Sequence, residues 1–107
     1  DYNFYLKENG DPDLIRGYGM AVGKSMRQSS FRLYSEGHLD QAILKWVEIE
    51  RIYKEIDHQS GLVSVYFSLG ILYEEKGESQ NAKNYFDLVL KLNPLHIQAK
   101  ERLDNIR

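Results

Sequence analysis

Apolar side chains recur along this chain at three- and four-residue steps and never alternate at period two, which predicts helices and no strands. The strongest stretch runs from Leu39 to Ile56. Ala42, Trp46, Ile49 and Tyr53 form one stripe, and Lys45, Glu48, Glu50 and Lys54 fill the other side. A helix from about Ser60 to Lys76 carries Leu62, Tyr66, Leu69 and Tyr73, with Ser60 read as its N-cap. The next, Ser79 to Leu92, carries Ala82, Phe86 and Val89. Asn93-Pro94 then breaks the chain before a short closing helix, Leu95 to Ile106. Upstream, Asp11-Pro12 opens a helix that reaches Glu36, with Leu14, Met20, Met26, Leu33 and Tyr34 as a loose stripe. One long helix is expected; Gly17, Gly19 and Gly23 each cost about 1 kcal/mol against alanine in a helix and mark Gly17 to Gly19 as the place where it could break. The first twelve residues read as a leader: Tyr2, Phe4, Tyr5 and Leu6 cluster before a turn at Asn9 to Pro12. Residues 1 to 8 are expected to fold back and cover apolar surface of the helices.

The pattern repeats. Gly37-His38-Leu39-Asp40-Gln41-Ala42 aligns with Gly77-Glu78-Ser79-Gln80-Asn81-Ala82 at an offset of 40. At the same offset Trp46 matches Phe86, Ile49 matches Val89, Leu33 matches Tyr73, Met26 matches Tyr66 and Ser30 matches Gly70. Each unit is a helix, a glycine turn and an antiparallel partner helix. Small residues at Ser30 and Gly70 let the paired helix approach, Ala42 and Ala82 offer the facing flat spot, and the glycine closes the first helix with a left-handed cap. A single hairpin cannot bury its own apolar face, so such hairpins stack.

Leu69-Gly70, Tyr73, Gly77, Ala82, Phe86 and Asn93-Pro94 resemble the tetratricopeptide repeat signature over residues 63 to 96, with Tyr66 where that family usually has an aromatic. The unit from about Gly23 to Ile56 is a degenerate match: Ser29-Ser30 replaces Leu-Gly, Leu33 replaces the tyrosine and the closing proline is missing. The offset of 40 implies six extra residues around Asp57 to Leu62 and resembles an extended variant of the family. The expected fold is all-α, helix-turn-helix repeats stacked as a short α-solenoid. Its expected division is one domain: a leader (1–12), a degenerate repeat (13–57), a well-matched repeat (60–93) and a capping helix (94–107). Two repeats and a cap fall below the usual three, so lost repeats or self-association are expected to make up the shortfall. The chain begins at Asp1 and not Met, as expected of a fragment or a processed chain.

The resemblance implies a protein-interaction scaffold whose first helices line a concave groove. The family's groove positions fall on Lys24, Arg27, Gln28, Phe31 and Tyr34, and on Ser64, Phe67, Ser68, Ile71 and Glu74. Helical spacing independently puts 24, 27, 31 and 34, and likewise 64, 67, 71 and 74, on stripes apart from the packing face. Lys24 and Arg27 beside Phe31 and Phe67 point to a partner segment combining acidic and apolar side chains. Phe31, Phe67 and Ile71 stand where a clamp for chaperone C-terminal carboxylates would need polar groups, which argues against that subclass. The alternative is a structural domain that self-associates or stacks with further repeats.

Composition narrows the chemistry. No cysteine is present among the 107 residues, which excludes disulfides, Cys-ligated zinc and thiol catalysis. A net charge of −2 gives no bulk electrostatic reason to bind nucleic acid. No apolar run approaches the ~20 residues of a membrane span. A soluble protein is expected, with the cytoplasm slightly favoured. Gly17 to Ser25 looks like a nucleotide-binding loop, but Gly19 leaves three residues before Gly23-Lys24-Ser25 and Gly17 leaves five, where four are required. Those glycines are read as helix contacts. His38, His58 and His96 lie at helix starts and links with no ligand spacing and are read as surface residues. Lys24, Arg27 and Arg32 form a small basic patch, from which Arg32 turns away; Trp46 and Phe86 are core by register. No catalytic set is visible, and neither enzyme activity nor a cofactor is expected.

Overall fold

The computed structural model describes residues 12–106, which form five helices: α1 (Pro12–Ser35), α2 (Leu39–Glu55), α3 (Gln59–Glu75), α4 (Ser79–Leu92) and α5 (Ile97–Ile106). The leader, and with it the expected cover of residues 1 to 8, lies outside the described residues. Among those described there is no strand, as the missing period-two pattern predicts. The main packing runs between helices consecutive in the chain: α1 on α2, α2 on α3, α3 on α4 and α4 on α5. Packing of each helix mainly on its chain neighbours is the signature of a stacked hairpin array.

Three tight turns set the array. Gly37 and Gly77 have φ of +84° and +80°, the left-handed region that a residue without Cβ adopts cheaply. At each, the next N–H reaches back to close the helix: His38 to the Leu33 carbonyl at 2.8 Å and Glu78 to the Tyr73 carbonyl at 2.9 Å. Asp57, with φ +53°, forms the same turn at the α2–α3 junction, where His58 N–H bonds the Tyr53 carbonyl at 2.9 Å. The three turn residues are spaced by twenty positions, so the 40-residue repeat is built of two helix-and-turn units of equal length. The six extra residues expected as an insertion around Asp57 to Leu62 are therefore absorbed as helix, α2 ending at Glu55 and α3 starting at Gln59.

Ala42, Trp46, Ile49, Ile52 and Tyr53 of α2 are buried, as are Ala82, Phe86 and Val89 of α4. Between them α3 is apolar on several sides, burying Leu62, Val65, Tyr66, Leu69 and Leu72, because it packs on both α2 and α4. Ala99 and Leu103 seat α5, and its outward positions Lys100, Glu101 and Asp104 are exposed.

The one long helix expected upstream is observed: α1 is continuous, with no break near Gly17 to Gly19. Its packing along α2 outweighs the propensity cost of about 1 kcal/mol per glycine, and at Gly23 the missing side chain makes room for Tyr53. The N-cap of α3 is His58, not Ser60, and it makes no side-chain cap bond. The closing helix starts at Ile97, not Leu95, where His96 Nδ1 accepts the Ala99 N–H at 3.1 Å.

Candidate functional site

Helices α1 and α3 both pack on α2 but hardly touch each other, and the space between them is a cleft. Two cavities open along it, about 410 Å³ and 200 Å³, and Phe31 lines both. Phe31 is 54% exposed, yet its ring meets the buried Trp46 edge-on with centroids 5.5 Å apart. One side of Phe31 is thus fixed and the other is open. Helical periodicity places the α1 wall: Lys24, Arg27 or Gln28, Phe31 and Tyr34 succeed one another on one face. Ser68 and Ile71 form the α3 wall of the smaller cavity, with Trp46 of α2 and Leu72 of α3 beside them.

The two ends differ in charge. The larger cavity is lined by Lys24, Arg27 and Gln28, with Met20, Ala21, Tyr53 and His58, and no carboxylate is among these residues. Arg27 is half-buried, and its Nε is without a hydrogen-bond partner among the described residues. His58 packs edge-on against Tyr53, centroids 4.8 Å apart, so burial lowers its pKa, with help from the charges of Arg16 and Arg27. Both effects favour the neutral imidazole. At the other end the Tyr34 hydroxyl donates to Glu75, a bond that, with burial, raises the tyrosine pKa.

Of the residues read as groove-lining, Lys24, Arg27, Gln28 and Phe31 line the larger cavity, and Phe31, Tyr34, Ser68 and Ile71 the smaller. Three others are placed elsewhere. Ser64 is exposed and lines neither cavity. Phe67 is half-buried between Phe86 (5.7 Å) and His96 (5.0 Å), so it is packing and not open groove. Glu74 is engaged by Arg102 of α5 at 2.9 Å. Tyr53, Trp46 and His58 were missed as lining residues. Their core or link register points inward, and they form part of the lining where α1 and α3 stand apart. His58 and His96 thus pack on aromatic rings and are not simple surface residues. Gly17 to Ser25 lies inside α1, where the backbone amides are held in the helix and cannot cradle a phosphate.

Stacked antiparallel hairpins with a cleft between alternate helices define a helical-repeat protein of the α-solenoid class. Residues 63–94, which run from within α3 through its turn to the end of α4, match the tetratricopeptide repeat family. Comparison with curated proteins finds no match. Tetratricopeptide repeats generally mediate protein–protein interaction and are typically non-catalytic. No helix among the described residues is long and apolar enough to cross a membrane, and no group of three metal-ligating side chains occurs among them.

Proposed function

We propose that this chain is a protein-interaction module that binds an extended partner segment in the cleft between α1 and α3. In this reading the two hairpins are two repeats, the first degenerate, and α5 caps the stack with a polar outer face. The carrying observation is Phe31: a half-exposed aromatic ring at the meeting point of two open cavities, one cationic and one apolar. An acidic side chain of the partner pairs with Lys24 and Arg27. An apolar side chain a few residues away enters beside Phe31, Tyr34 and Ile71. Binding weakens as salt rises, because the charged end is partly exposed and screened.

Selection of a randomised peptide library on the intact chain tests this. Enriched sequences should place Asp or Glu near an aromatic or aliphatic residue, and binding should fall at least tenfold, about 1.4 kcal/mol, in both Arg27→Ala and Phe31→Ala. Selected peptides that bind both variants as tightly as wild type would move recognition to another surface.

A further inference from the structure

The face of the second hairpin that meets the first is closed by a helix. There Tyr73 and Tyr85 stack with centroids 5.6 Å apart and planes within 6°, and Tyr66 is buried 6.1 Å from the Tyr85 ring, on the helix against which α2 packs. Forty positions earlier the same surface recurs on the first hairpin, with Leu33 in the place of Tyr73 and Lys45 in that of Tyr85. Here no helix among the described residues covers it. The surface opens as a cavity of about 420 Å³ lined by Leu33, Gln41, Leu44, Lys45 and Glu48. Leu44 is 68% exposed. Lys45 and Glu48 form no ion pair with any described residue, although ion pairs occur elsewhere on α2, at Arg51–Glu55 and Lys54–Glu50.

We propose that this edge of the first hairpin, uncovered among the described residues, is an interface with a second copy of the chain. The edge is self-complementary. When α2 packs antiparallel on its copy about a two-fold axis, residue i meets residue j and j meets i. Leu33 and Leu44 of both copies then form the apolar centre, and each Lys45 faces Glu48 of the second copy. The surface lies apart from the α1–α3 cleft, so the dimer leaves both cleft cavities open.

Sedimentation equilibrium of the full chain from about 1 µM to about 1 mM tests the proposal over the range of weak to moderate affinities. A reversible monomer–dimer equilibrium is expected. Leu44→Glu should raise its dissociation constant at least tenfold, about 1.4 kcal/mol, with the circular dichroism of the helices unchanged. Lys45→Glu and Glu48→Lys, both surface changes, should each weaken the dimer by placing like charges opposite each other. The double variant, with the pairing reversed, should recover to within about threefold of wild type, as coupled partners do. A monomer at every concentration would overturn the proposal and leave the edge to another segment or another protein. A dimer indifferent to Leu44→Glu, or a double variant no tighter than the single ones, would overturn it equally.

Discussion

Gly70 lies directly beneath the ring of Phe86: a Cβ at that position would stand 2.5 Å from Phe86 Cε1. Gly23 stands in the same relation to Tyr53, at 2.4 Å, so each hairpin closes where a glycine of its first helix meets an aromatic ring of its second. Both rings are buried. Gly70→Ala should therefore destabilise by about 1–3 kcal/mol through overpacking. Gly17 has no neighbour within 4 Å of an added Cβ, and Gly17→Ala should stabilise by about 1 kcal/mol from helix propensity alone. Urea unfolding of the two variants should give opposite signs.

Ser30 occupies the repeat position of Gly70. It is fully buried, and its Oγ has no hydrogen-bond partner among the described residues. A desolvated hydroxyl without a partner costs more than an apolar group of similar size. Ser30→Ala should raise stability by about 1 kcal/mol, read as a higher denaturation midpoint at unchanged slope. A loss of stability would mean that the hydroxyl is bonded in solution.

Asp57 is the one non-glycine residue with positive φ among those described. A Cβ in the left-handed region costs about 1–2 kcal/mol, part of which glycine returns through the larger entropy of its unfolded chain. Asp57→Gly should accordingly stabilise by about 0.5–1 kcal/mol. Gly77→Ala, which forces a Cβ into the same conformation, should destabilise by about 1–2 kcal/mol. Thermal unfolding of both variants checks the pair.

How legible these features were in the sequence follows from the signals each one carries. Gly37 and Gly77 announced their turns because glycine is the residue that a left-handed cap favours. Asp57 makes the same turn without that mark, so the sequence alone suggests an insertion at the α2–α3 junction and a cap at Ser60. The hairpin partners Ala42 and Trp46, and Ala82 and Phe86, were legible from register because burial follows the helical period. The walls of the cleft were legible on α1, where helical spacing selects Lys24, Arg27, Phe31 and Tyr34 and the family resemblance adds Gln28. They were less so on α3, because the position of α5 decides which groups stay open. His96 covers Phe67, and Arg102 takes Glu74. No local pattern reveals that.

His58 gives a pH test. Burial and the charges of Arg16 and Arg27 hold its folded-state pKa below the ordinary 6.5. Between the two values the unfolded chain binds more protons than the folded one, so stability rises with pH across that window. On acidification the His58 contribution is lost from about pH 6.5 downward until the folded pKa is reached. Imidazole NMR shifts should titrate below 6.5, and Arg27→Ala should move the midpoint upward. Over the same window His58→Gln should flatten the dependence of stability on pH.

The claim that the cleft between α1 and α3 is the recognition surface is tested most directly by amide chemical-shift mapping. The isotope-labelled chain is titrated with a selected acidic–aromatic peptide. Shift changes should concentrate at Lys24, Gln28, Phe31, Ser68 and Ile71, on both walls of the cleft, and be minor on α4 and α5. Changes centred on Leu33, Leu44 and Lys45, or on the outer faces of α4 and α5, with the cleft residues still, would contradict it.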